Sequence, residues 1–223
     1  MLGWNGKRWA ISTGTAVAVW VCGATAMAQE AAPRAAPMKR SGARVHDGFF
    51  LRLGPSLGPL SITGKADAGG PESTISGFSL VGGELLLGGT PVDGLVVGGG
   101  WLYNQVSDPT IENELGEGTA DGTMFVTSVD FFAQYYFDPG QGAHVQLMVG
   151  YGGIDFVDAE GRSGGNDPVG LNLAIGGGYD FWLGDEWSVG PFLRIQYASM
   201  SPSDTEYSYS YLFPTLGAVF TYH

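Results

Sequence analysis

Over residues 124–137 the chain changes character at every step. Phe125, Thr127, Val129, Phe131, Ala133, Tyr135 and Phe137 fall on one side, with Val126, Ser128, Asp130, Phe132, Gln134 and Tyr136 on the other. A period of two predicts a β-strand, because successive side chains of an extended chain point to opposite faces. Residues 171–181 repeat it, with Leu171, Leu173, Ile175, Gly177, Tyr179 and Phe181 opposite Asn172, Ala174, Gly176, Gly178 and Asp180. Six more segments read the same way: 48–57, 76–87, 94–104, 143–155, 187–198 and 209–222. Eight strands of about 10 to 14 residues suffice to cross a bilayer, for which a tilted strand needs about 9–11.

The connections alternate in length. Stretches 88–93, 138–142 and 183–186 are short and carry the Gly, Pro and Asp that tight turns demand. Stretches 58–75, 105–123, 156–168 and 199–208 are longer, acidic and expected to be loops. Short turns at one rim and long loops at the other mark a transmembrane barrel.

Bulk decides which face meets lipid. In the 171–181 strand one face is Leu, Leu, Ile, Tyr and Phe, while the other is mostly Gly, Ala, Asn and Asp. Turned to water, the bulky face would exceed the apolar patch of a few hundred Å² that soluble monomers tolerate. Turned to lipid it is stabilised, and the small face fits a narrow interior. Residues 94–104 agree, with Leu95, Val97, Trp101 and Tyr103 opposite Gly94, Gly98, Gly100 and Asn104. Aromatics gather where interfacial belts are needed: Phe137, Phe181, Trp187, Phe220 and Tyr222 toward the short turns, Tyr103, Phe125 and Tyr197 toward the loops. The expected fold class is therefore all-β, an eight-stranded antiparallel up-and-down transmembrane β-barrel.

Composition sharpens this. There are 38 glycines in 223 residues. Each would cost a helix interior roughly 1 kcal/mol relative to alanine, but glycine suits strands with closely approaching backbones. The 22 acidic residues against 10 basic ones disfavour a nucleic-acid partner. The single cysteine, Cys22, rules out a disulfide framework. Lys7 and Arg8 precede a mostly apolar stretch over 9–21, and Ala26-Met27-Ala28 offers a small-x-small cleavage pattern before Gln29. Residues 1–28 are thus expected to be a secretory signal peptide, with Ala26 and Ala28 as the small residues of its cleavage site. Residues 29–46, rich in Ala, Pro and basic side chains without apolar periodicity, are expected to be a disordered leader. That leaves 47–223 for the barrel.

The last strand holds Thr215, Gly217, Phe220 and Tyr222, a polar residue, a glycine and two spaced aromatics. It resembles the C-terminal signal that the barrel-assembly machinery reads in outer-membrane proteins, with one departure: His223 follows the final aromatic. With the signal segment and strand pattern, residues 47–223 resemble the small eight-stranded outer-membrane barrels of Gram-negative bacteria, the OmpA-transmembrane, OmpX and OmpW-like group. The resemblance implies a porin-like cell-envelope protein in the outer membrane, both termini and the leader periplasmic, among lipid and lipopolysaccharide. It implies a structural or surface-interaction role through acidic loops. The alternative is OmpW-like passage or binding of small apolar molecules.

The same parity sends Arg52, Glu84, Asp130 and Arg194 inward. Charges in a narrow lumen need partners, and the expected pairs are Arg52 with Glu84 and Asp130 with Arg194, plugging the interior. Enzymes of the barrel group lean on a histidine near the outer rim. Here His46 falls in the leader, and His144 and His223 at short-turn ends, so no catalytic residue is expected. Asp155 and Asp158, or Glu112, Glu114 and Glu117, read as solvated loop acids. No spacing matches a calcium loop, and neither metal nor cofactor is expected.

Overall fold

Alternation carried through long strands lets the sheet close on itself. The computed structural model describes residues 44–66, 72–114, 116–163, 167–201 and 207–223. The expected signal segment, including Ala26 and Ala28, and the leader up to residue 43 lie outside the described residues. The strands are β1 (Gly48–Ala66), β2 (Glu72–Val92), β3 (Leu95–Ser107), β4 (Thr110–Asn113), β5 (Gly116–Thr119), β6 (Gly122–Tyr136), β7 (Ala143–Asp158), β8 (Val169–Tyr179), β9 (Phe181–Trp182), β10 (Trp187–Ser201) and β11 (Tyr207–Tyr222). Eight of them, β1, β2, β3, β6, β7, β8, β10 and β11, each pair antiparallel with the next, and β11 returns to β1. Closure pairs Leu53 with Phe220 and Arg52 with Thr221. Among the described residues there is no helix. The fold is a closed eight-stranded antiparallel barrel with up-and-down strand order.

Side-chain parity follows the expected faces. Phe131, Val129 and Tyr135 of β6 point outward with Leu171, Leu173 and Ile175 of β8, all largely exposed on the wall. Asp130, Gln134, Asn172 and Asp180 are buried inside. Inward glycines open space for larger neighbours. A Cβ on Gly176 would lie 2.6 Å from the Phe192 ring, so the glycine is what lets that ring lie across the lumen.

Several strands run farther than the lipid-facing pattern predicts. β1 continues to Ala66 and β2 begins at Glu72, so most of the expected 58–75 loop is hairpin. The reason is a change of environment along the same strand. Below residue 60, β1 turns Phe49, Leu53 and Leu57 outward and Arg52, Gly54 and Ser56 inward. Above it the assignment inverts: Leu60 and Ile62 point inward, while Ser61, Thr63 and Lys65 point outward. Ser61 faces Ser76, Thr63 faces Thr74 and Lys65 faces Glu72 across the hairpin. β10 does the same, with Leu193, Ile195 and Tyr197 outward below, Ser199 and Ser201 outward above, and Ala198 and Met200 buried within. The lower wall is greasy outside; the upper wall is packed like a soluble domain. Such a switch suits a wall that passes from lipid to water.

One irregularity lies near the switch. Leu80 and Val81 of β2 together oppose Leu57 of β1, a bulge that turns both outward. Above it, β4 replaces β3 as the neighbour of β2, pairing Thr110–Glu112 with Thr74–Ser76, and β5 folds back on β4. The 105–123 connection therefore contains a hairpin rather than an unstructured loop. Asp108, at φ 48°, supports the turn into it by accepting a hydrogen bond from the Gly122 backbone.

If the lower wall faces lipid, Ile175→Arg should cost about 2–4 kcal/mol. Ser199→Arg, beyond the switch on the neighbouring strand, should change stability by less than about 0.5 kcal/mol. Urea unfolding in vesicles, followed by the gel mobility of the folded form, measures both.

Candidate functional site

The short-turn end of the lumen is organised by Arg52. A guanidinium carries five N–H donors and is always charged, so burying it fully demands five acceptors. Arg52 is 0% exposed and finds them all. Nε donates to Thr221 Oγ1 at 3.0 Å, Nη1 to Gln134 Oε1 at 2.7 Å and His144 Nε2 at 3.1 Å, and Nη2 to Tyr136 OH at 3.2 Å and Asp180 Oδ2 at 2.7 Å. The Tyr136 hydroxyl donates onward to Asp180 at 2.7 Å. These partners come from β6, β7 and β11 and from Asp180, between β8 and β9, so one side chain ties together widely spaced parts of the wall.

A histidine chain lies alongside. His46 is not a solvated leader residue: it is fully buried, stacked at 3.4 Å on Tyr136 and at 4.8 Å on Trp182. Its Nε2 must donate to the Gln141 carbonyl, 2.9 Å away. The Nδ1 of a neutral ring then accepts, and it does so from His223 Nδ1 at 2.9 Å. The remaining nitrogen of His223 accepts the Ser188 hydroxyl at 2.9 Å. Burial, the dominant cause in both, lowers the pKa of His46 to about 4 and of His223 to about 3. Ser188 and His223 have the spacing of a nucleophile and its base, but Ser188 is fully buried. The C-terminal residue that departs from the terminal-aromatic pattern thus packs in the core.

Farther up, Arg194 pairs with Glu84 and donates to Gln146 Oε1 at 3.1 Å, with its guanidinium 4.6 Å from the Phe192 ring centre. Asp130 accepts from Ser128 at 2.6 Å and from Asn172 at 2.7 Å, and Tyr211 donates to the Asn172 carbonyl at 3.1 Å. All four expected lumen charges are inside, but their partners differ from expectation. Arg52 pairs with Asp180 rather than Glu84, and Arg194 with Glu84 rather than Asp130. Arg52 and Glu84 do lie on adjacent strands, but the lumen is narrow enough for an arginine to reach across it. Glu84 sits opposite Gly54, two residues toward the loops from Arg52, and Arg194 reaches it there. Asp180 was legible by parity as inward; Tyr136 and Gln134 shared that face, but nothing in the pattern marked them as partners.

At the loop end the lumen turns apolar. Leu60, Ile62, Val106, Met124, Val126, Ile154, Met200, Tyr211 and Phe213 form a buried cluster. Above it lies a cavity of about 250 Å³ lined by Ile62, Ile75, Ile111, Met124, Phe156 and Tyr209 among others, with Asp167 contributing a carboxylate. The loop acids Asp158, half-buried, and Glu160, exposed, engage Arg162 at 2.8 and 2.6 Å. Among the described residues no group of three or more His, Cys, Asp or Glu is placed to hold a metal ion. Phe220 and Tyr222 of the terminal strand lie at the short-turn rim, where Tyr222 meets Trp187 at 5.3 Å; Gly217 faces Phe192 across β10.

No protein-family model matches the sequence, and no curated protein matches it. Among solved structures, the chain is similar to Neisserial surface protein A, at 12% identity over 78% of this chain and 96% of that one, with a TM-score of 0.48. It is similar to outer membrane protein OprG from Pseudomonas aeruginosa, at 16% identity over 81% and 98%, with a TM-score of 0.47. It is also similar to Ail, the attachment invasion locus protein of Yersinia pestis, at 16% identity over 79% and 99%, with a TM-score of 0.40. The likeness is one of architecture alone.

Two outcomes follow from the polar cluster. Arg52→Met strands a buried carboxylate and should destabilise the barrel by about 3–5 kcal/mol, whereas Arg52→Met combined with Asp180→Leu should recover most of that. Equilibrium unfolding of the three proteins checks it. For the histidines, the unfolded rings titrate near 6.5 and the folded ones near 4 and 3. Between those limits the unfolded chain binds more protons, so stability is full above about pH 6.5 and falls as pH drops toward 4. The urea midpoint should fall from pH 7.5 to 4.5, and His46→Gln with His223→Gln should flatten that slope.

Proposed function

We propose that this is an outer-membrane barrel closed to solute along its axis, which engages its surroundings through its loop end. The observation that carries the reading is Arg52 with every donor occupied and no exposure, at the narrow end of the lumen. A conducting pore needs a continuous wet path, and here polar side chains bind one another where water would run. The Arg194–Glu84 pair and the Phe50, Leu86, Leu102 and Phe132 cluster add further layers. Passage of small apolar molecules along the axis would have to break these layers, so the outer cavity supports binding rather than transit.

In this reading residues 1–28 direct export, with cleavage after Ala28, and both termini lie in the periplasm. Gly217, Phe220 and Tyr222 serve barrel assembly; the outward aromatics beside the closing seam support this. The extension above the switch then stands outside the cell among lipopolysaccharide. The role is non-catalytic: His46, His144 and His223 are all buried at the opposite end from the loops, and their hydrogen bonds are made within the wall.

Planar-bilayer recordings of the refolded protein test the reading. Electrical silence at potentials that open general porins is the expected result. Discrete, reproducible channel currents from the purified protein would contradict it.

A further inference from the structure

The cavity at the loop end is apolar except at one point. Its walls are Ile62, Ile75, Ile111, Met124, Phe156 and Tyr209, and its volume is about 250 Å³. An apolar cavity of about 150 Å³ already takes benzene, so this one admits a single ring with a short chain. The exception is Asp167, which lines the cavity with the charge of Asp155 near enough to act on it. Partial burial, followed by the charge of Asp155, raises the pKa of Asp167, as expected where two carboxylates crowd one another. A cation placed between them would relieve that repulsion.

The surroundings offer little neutralisation. Across 58–75, 105–123, 156–168 and 199–208 the sequence holds twelve acidic residues and two basic ones, Lys65 and Arg162. Both bases are engaged elsewhere, Arg162 with Asp158 and Glu160, and Lys65 with Glu72 at 3.3 Å. Among the described residues, Asp155 accepts a hydrogen bond from the neutral Ser163 hydroxyl at 2.9 Å. A greasy cup with an acidic lip, within an acidic rim, is complementary to a molecule that is greasy at one end and positive at the other.

We propose that this cup binds cationic amphiphiles: small amines whose ring or short alkyl chain enters the cavity while the ammonium group rests on Asp167 and Asp155. The inference rests on the reading that the loop end is the interacting surface, and adds the ligand class. The acidic rim raises the local concentration of such cations, and the carboxylate pair selects them over neutral molecules of equal size.

The test is calorimetric titration of the folded full-length protein in neutral detergent with 2-phenylethylamine and with its uncharged counterpart 2-phenylethanol. The amine should bind about tenfold or more tightly than the alcohol, as a charged hydrogen bond worth about 1.5–3 kcal/mol implies. Asp167→Asn should bring the amine down to the affinity of the alcohol and leave the alcohol unchanged. Ala120→Trp, which fills the cavity from its wall, should abolish both. Equal binding of amine and alcohol, or an amine affinity untouched by Asp167→Asn, would overturn the inference while leaving the closed-lumen reading intact. Binding of neither would overturn the cup as a site altogether. Channel currents, by contrast, would strike the closed-lumen reading and not this one.

Discussion

A closed sheet of eight strands has an interior too narrow for bulk water, and parity leaves no choice about which side chains enter it. Polar groups sent inward therefore depend on one another for partners. Most find them, although the Gln196 amide and one oxygen each of Glu84 and Asp180 are buried without one among the described residues. This constraint governs the rest of the barrel. It explains why a fully buried arginine appears with donors matched one by one to Thr221, Gln134, His144, Tyr136 and Asp180. It also explains small residues beside them: Gly176 leaves the space that the Phe192 ring fills.

The same wall faces two solvents. In its lower part lipid demands apolar side chains outside, and the interior carries the polar ones beside the Phe50, Leu86, Leu102 and Phe132 cluster. In its upper part water reverses both demands, and the interior becomes a conventional core of Leu60, Ile62, Met124, Met200 and Phe213. A single strand such as β10 obeys one rule as far as Tyr197 and the opposite rule from Ala198 on. The result is a molecule whose lower half is crossed by the Arg52–Asp180 and Arg194–Glu84 pairs and whose upper half holds an apolar cup.

Much of this was legible in the sequence. Eight alternating segments, their order and their outward faces could all be read from residues such as Leu171, Leu173 and Ile175 against Asn172 and Asp180. The strand extensions were not, because Ser61, Thr63 and Lys65 look like loop residues when the only question asked is which side is greasy; asking whether the two faces had exchanged would have found them. The lumen charges were legible as inward, but not their partners. Register fixes neighbours along the wall, whereas Arg52–Asp180 and Arg194–Glu84 cross the lumen, and reach across it depends on tilt and side-chain length. His46 carried no periodic signal at all, since its place is set by stacking on Tyr136 and by a hydrogen bond from the far end of the chain.

The exchange of polarity between the two faces along an unbroken strand is the central claim, and spin labels placed one at a time along residues 193–201 of β10, in a chain lacking Cys22, test it most directly. Labels at Leu193, Ile195 and Tyr197 should be reached by oxygen from the bilayer and shielded from a water-soluble nickel reagent, while labels at Ser199 and Ser201 should show the reverse. Nickel reaching Leu193 and Ile195, or Ser199 behaving as they do, would contradict the account.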